Sequence, residues 1–157
     1  MKKRKTLYIG LGIIFVCLAV TGFGMFLNRS TSREATAEEL ALYGAYDSGL
    51  TAGEILVVCI YMEDVEIGRN TYKIYVSSRL PEMLHGCSEL QRIAEDAQGN
   101  LYIQYNDPEN RNVTLAYSGD TLRELAVYDP AGEILFHRLE DSVVVWEKFS
   151  SGVQWGR

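Results

Sequence analysis

Residues 96–132 read DAQGNLYIQYNDPENRNVTLAYSGDTLRELAVYDPAG, and their alternation of turn chemistry with period-two apolar runs decides the fold class. Asp96-Ala97-Gln98-Gly99 and Asp129-Pro130-Ala131-Gly132 each put an aspartate where a turn begins and a glycine where positive φ is required. A type I turn closed by a glycine bulge suits both. Asp107-Pro108-Glu109-Asn110 and Ser118-Gly119-Asp120 punctuate the stretch between them. The intervening segments Leu101–Tyr105, Val113–Tyr117 and Leu125–Tyr128 are rich in β-branched and aromatic residues and read as strands.

The pattern continues outward in both directions. Tyr72–Val76, Ile134–Leu139 and Val143–Phe149 are further strand candidates, with Tyr72, Ile74 and Val76 on one face and Lys73 and Tyr75 on the other. Strands at roughly 8–12-residue spacing predict a mainly β protein, a small antiparallel meander closed into a sandwich or partly open barrel. Ile55–Met62, ILVVCIYM, is apolar at every position and is expected to be a central strand covered on both faces. Leu84–Ala94 fits a short helix or a strand after the Leu80-Pro81 break. The shared hairpin chemistry does not make a propeller, which needs at least ~4 four-stranded blades.

Before the strands, the pattern turns helical. Thr31-Ser32-Arg33-Glu34 and Thr36-Ala37-Glu38-Glu39 both match the capping-box signature, so a helix from about Ser32 to Ala45 is expected. Ala37, Leu40 and Tyr43 form its apolar face.

Leu7–Leu27, LYIGLGIIFVCLAVTGFGMFL, is an uncharged run of 21 residues. As a helix it spans about 31 Å, matching the ~30 Å hydrocarbon core. Lys2, Lys3, Arg4 and Lys5 precede it and only Arg29 and Arg33 follow closely, which sets the N-terminus in the cytoplasm and the rest outside. The run exceeds the ~7–15 residues of a signal-peptide core, so a retained anchor is expected. The competing reading is a secreted domain released by cleavage near Ala37, at Ala35-Thr36-Ala37. No glycine pair in the run makes a G-x-x-x-G face for helix dimerisation. The expected organisation is a basic flank at 1–6, a transmembrane anchor at 7–27, a juxtamembrane spacer and short helix at 28–53, and an extracytoplasmic β domain at 54–157.

Charge narrows the partners. Residues 1–33 hold six basic residues and no acid, leaving nine basic residues against all 21 acids in 34–157, a net of −12. Nucleic acid is excluded as a partner, because phosphate contacts demand a basic face. The expected partners are the lipid bilayer, through residues 7–27, and another protein of the cell envelope.

The catalytic motifs are missing. The anchor-plus-β plan resembles sortase transpeptidases in architecture alone. Cys59 lies in Val-Val-Cys-Ile-Tyr, and Cys87 follows His85 by two residues, where that family carries its cysteine in Thr-Leu-x-Thr-Cys, well after the histidine. No G-x-S-x-G elbow is present. His85-Gly86-Cys87 offers two metal ligands where a structural zinc needs four, so no metal or cofactor is expected. The acidic clusters Glu63-Asp64-Val65-Glu66, Glu95-Asp96 and Glu140-Asp141 read as solvated loop charges, and His137 reads as a sheet residue. An enzyme built on scattered carboxylates and His137 is the alternative from a different class.

Two further features bear on the outer domain. Cys59 and Cys87 both fall on the oxidising side and can close a disulfide loop worth ~3–4 kcal/mol, or remain as packed thiols. Tyr61, Tyr72, Tyr75, Tyr102, Tyr105, Tyr117 and Tyr128 all fall in predicted strands, either as ordinary sheet aromatics or as a stacking platform. Asn28-Arg29-Ser30 and Asn112-Val113-Thr114 are glycosylation sequons. The leading expectation is a single-pass envelope protein whose acidic β domain faces outward as a binding or accessory module.

Overall fold

The computed structural model describes residues 30–139 and 142–148. The anchor run Leu7–Leu27, its basic flank Lys2–Lys5, Asn28 and the Glu140-Asp141 pair lie outside the described residues. Among the described residues no helix is long and apolar enough to cross a membrane.

Nine strands form one open antiparallel sheet: β1 (Ser30–Glu34), β2 (Ile60–Ile67), β3 (Asn70–Val76), β4 (Glu89–Asp96), β5 (Leu101–Asn106), β6 (Asn112–Ser118), β7 (Thr121–Tyr128), β8 (Ile134–Leu139) and β9 (Ser142–Lys148). Strands β2 to β9 follow one another as a meander, and β1 adds beside β9. Among the described residues three short helices accompany them: α1 (Ala37–Gly44), α2 (Ala52–Val57) and α3 (Leu80–Met83). The expected antiparallel meander is present, but as a single open sheet in place of the expected sandwich or partly open barrel.

The hairpins form as their sequences require. In the β4–β5 turn the Gly99 N–H donates to the Asp96 carbonyl at 3.0 Å, and Gly99 sits at φ +80°. The β7–β8 turn repeats this with Gly132 and Asp129 at 2.9 Å and φ +84°. The β5–β6 turn uses Asn110 in the glycine position, at φ +59°, a conformation asparagine tolerates better than most side chains.

One face of the sheet carries the core. Leu101, Ile103 and Tyr105 on β5 stand opposite Tyr117, Leu115 and Val113 on β6, then Leu125 and Val127 on β7 and Phe136 on β8. The helices cover this face: Ile55 of α2 and Leu80 of α3 are completely buried against it, and Tyr43 of α1 stacks on Phe136 with ring centroids 4.6 Å apart. Helices α1 and α2 are thus packed on the sheet.

Two expectations are corrected here. Ile55–Met62 is not a central strand. A second capping box, in which Thr51 accepts from the Glu54 N–H at 3.2 Å and Glu54 accepts from the Thr51 N–H at 2.9 Å, starts α2 and takes residues up to Val57 into a helix. The remainder enters β2, an edge strand that leaves Ile60, Tyr61 and Met62 exposed. The helix expected from Ser32 starts later, at Ala37, because Thr36 and Glu39 form the working box. Arg33 reaches forward from β1 to Glu39 at 2.6 and 2.7 Å. That bidentate pair and the Thr36 backbone hold the Glu39 carboxyl down at about 2. Of the ambiguous 84–94 stretch, Glu89 onward is strand β4.

A buried polar knot fastens the helices to the sheet. Asp107, 2% exposed, accepts from the Tyr46 hydroxyl at 2.6 Å, Arg111 Nε at 2.6 Å, the Arg111 N–H at 2.8 Å and the Glu109 N–H at 3.0 Å. Burial pushes this carboxyl upward, but the Tyr46 and Arg111 hydrogen bonds outweigh it and hold Asp107 below its ordinary value.

Candidate binding groove

Among the described residues no helix packs on the opposite face of the sheet. The even positions of β5 point that way, Tyr102 and Gln104, opposite Ala116 and Thr114 on β6 and Ala94 and Arg92 on β4. Tyr72 of β3 shares the face through its pairing with Asp96, and Ala126 and His137 continue it across β7 and β8. A hollow of about 340 Å³ is lined by Ile67, Tyr72, Arg92, Ala94, Tyr102, Gln104 and Thr114.

This lining reveals the curvature of the sheet. Ile67 lies on β2 and Thr114 on β6, four strand spacings or about 19 Å apart along a flat sheet. One hollow touches both, so the sheet coils towards its uncovered side and makes it concave. Alanine is a poor strand residue, yet Ala94, Ala116 and Ala126 sit on this face at 4, 8 and 1% exposure. Ala94 lines this hollow, and Ala116 lines a second one beside it.

The walls are fixed in place by their own hydrogen bonds. Tyr102 donates to Asp96 Oδ2 at 3.1 Å and meets Tyr72 edge-to-face at 6.4 Å. Asp96 is itself tied down by the Asn100 N–H and Asn100 side chain at 2.9 and 2.8 Å. Burial raises this carboxyl, but the Asn100 and Tyr102 hydrogen bonds outweigh it and leave Asp96 below its ordinary value. Burial first, then Asp96, pushes the Tyr102 phenol up. Gln104 Nε2 donates to Thr114 Oγ1 at 3.5 Å, a long contact. The Tyr72 hydroxyl and the Arg92 guanidinium have no hydrogen-bond or ion-pair partner among the described residues. A second hollow of about 330 Å³ shares Tyr102 and runs on past Ala116 to Arg123, Glu124 and Leu139.

The residues singled out from sequence fall as follows. His137 lies on this face with Nε2 2.7 Å from Glu124 Oε1, and no second carboxylate joins that pair among the described residues. Glu63, Asp64 and Glu66 stay exposed on the β2 edge, while Glu95 turns to Tyr75 and Lys73. Among the described residues no three His, Cys, Asp or Glu side chains gather as a metal site. His85 packs edge-on against Tyr46. Cys59 and Cys87 are both free thiols: Cys59 Sγ donates to the Ile55 carbonyl at 3.1 Å, and burial raises both thiols. The tyrosines divide by strand parity. Tyr105 and Tyr117 are core, Tyr61 and Tyr75 pair at the β2–β3 edge, and Tyr72 and Tyr102 wall the groove.

Arg92, Gln104 and Thr114 were not singled out from sequence. The available signal was alanine at alternate strand positions, marking where the sheet makes room. Compared with known protein families, curated proteins and solved structures, the chain matches none.

Proposed function

We propose that this chain is a membrane-tethered binding module of the cell envelope. The uncharged run Leu7–Leu27 crosses the bilayer once with Lys2–Lys5 inside, and the acidic β domain outside presents its concave face to a partner. The observation that carries this reading is the groove: Ala94 in its floor, two tyrosines in its wall, and Arg92, which has no partner among the described residues. Specific sites are concave and combine apolar surface with a few convergent polar groups.

The fold also supports a retained anchor over release near Ala37. Cleavage after Ala37 would cut β1 from the chain and remove Thr36, whose hydroxyl caps α1. Lys2, Lys3, Arg4 and Lys5 lie on the cytoplasmic side in this reading, where anionic headgroups attract them.

The test places a photo-crosslinking residue at Gln104, and a control at exposed Glu82 of α3, in the full-length chain in intact cells. An alkaline phosphatase fusion after Arg157 reports topology in parallel. Phosphatase activity with crosslinks specific to position 104 is the expected result. An inactive phosphatase fusion, or the same products from both positions, would overturn the proposal.

A further inference from the structure

The groove's free groups also specify a ligand chemistry. We infer that it takes a saccharide carrying a carboxylate, with the acid on Arg92 and the ring lying against the Tyr72–Tyr102 pair; this rests on the binding reading above and names its ligand.

Arg92 supplies the charge argument. It is one of only nine basic residues among the 21 acids of 34–157. In that set Arg111 and Arg138 find carboxylates, while the side chains of Arg69, Arg79 and Arg92 have none among the described residues. Of these three Arg92 is the one that lines the hollow, with its five donors unspent. The planar guanidinium matches a carboxylate in bidentate geometry, while the surrounding negative field repels anions that lack a close-range contact.

The location of the groove argues for a sugar over a peptide. Extended peptides are held mainly by backbone hydrogen bonds along a sheet edge. Here the groove lies on the sheet face, where β3 to β6 have already spent their backbone groups on one another. Only side chains are left to recognise a ligand: the Tyr72 hydroxyl, the Gln104 carboxamide, the Thr114 hydroxyl and Arg92. Hydroxyls and a carboxamide suit a ring of hydroxyl groups, and tyrosine offers an amphipathic wall for its carbon face. A hollow of about 340 Å³ falls in the range of small-ligand sites.

The experiment uses the full-length chain in lipid nanodiscs and isothermal titration calorimetry with three probes: tri-galacturonic acid, neutral maltotriose and a triglutamate peptide. The expected result is binding of tri-galacturonic acid at least ~10-fold tighter than maltotriose, weakening as salt is added. Arg92→Gln should remove that preference, and Tyr102→Phe, which keeps the ring, should retain it. Arg92 is exposed and unpaired, so the variant keeps the wild-type melting temperature. Equal binding of both sugars, or an undiminished preference in Arg92→Gln, would overturn the inference. If triglutamate alone binds, the ligand class is wrong while the groove stands. If no probe binds and Gln104 crosslinks nothing specific, both readings fall.

Discussion

Replacing Asp107 tests how the helices are fastened to the sheet. Its carboxylate is almost fully enclosed and accepts four hydrogen bonds, two of them at 2.6 Å from Tyr46 and Arg111. Asp107→Asn keeps the shape but sets an amide donor against one of those donors and strips the charge that Arg111 was paired with. Breaking one partner of a buried pair costs ~3–5 kcal/mol, which for a domain of this size lowers the melting temperature by roughly 10–20 °C. Tyr46→Phe removes one hydrogen bond to a charged group and should cost ~1.5–3 kcal/mol. Because the two residues share one contact, the double variant should lose at least ~1 kcal/mol less than the sum. Urea unfolding of the full chain in detergent, followed by tyrosine near-UV dichroism, measures all four corners of the cycle. The folded-state value of Asp107 lies below its unfolded one. Its contribution is therefore complete above about pH 4 and fades as pH falls through the folded value. The gap between wild type and Asp107→Asn should narrow in that window. A loss under about 1 kcal/mol, or full additivity, would refute the knot.

The remaining predictions concern the hairpins and the thiols. Gly99→Ala and Gly132→Ala force a Cβ into the left-handed region and should each cost ~1–2 kcal/mol, adding within experimental error because the turns are separate; Asn110→Gly should stay within ~0.5 kcal/mol in the same unfolding assay. Protein denatured without reductant should titrate three thiols (Cys17, Cys59 and Cys87) against a chromogenic disulfide. In the native state Cys59 and Cys87 should react slowly, since burial raises both thiols. A count of one thiol after denaturation would establish the bridge instead.

What the sequence made legible followed from local rules strong enough to stand without tertiary help. Asp96 to Gly99 and Asp129 to Gly132 formed the turns their backbone chemistry demands, and with them the boundaries of β4, β5, β7 and β8. Ile55–Met62 failed because an unbroken apolar run has no period to read. Its length suited a strand, but Thr51-Ala52-Gly53-Glu54 carried the same capping box that located α1, and that box decides the matter. Thr31-Ser32-Arg33-Glu34 shows the converse: the letters fit a box, but Arg33 bonds Glu39 and the segment pairs as β1.

The groove was harder to read, for a physical reason. Strand parity alone separates Leu101, Ile103 and Tyr105 from Tyr102 and Gln104, so the two faces of β5 were legible. Concavity was not, because it depends on how far successive strands rotate and on Ile67 approaching Thr114 from four strands away. Nor can an arginine be recognised as unpaired until every acid has been placed. What local rules do leave visible is a conflict between propensity and position. Three alanines occupy the polar parity of β4, β6 and β7, where a solvent-facing sheet gains from longer or β-branched side chains. A face with no use for a hollow has no reason to accept that loss three times on neighbouring strands. Filling the floor with Ala94→Val should therefore leave the fold intact and shrink the groove, separating the requirement for space there from the stability of the sheet.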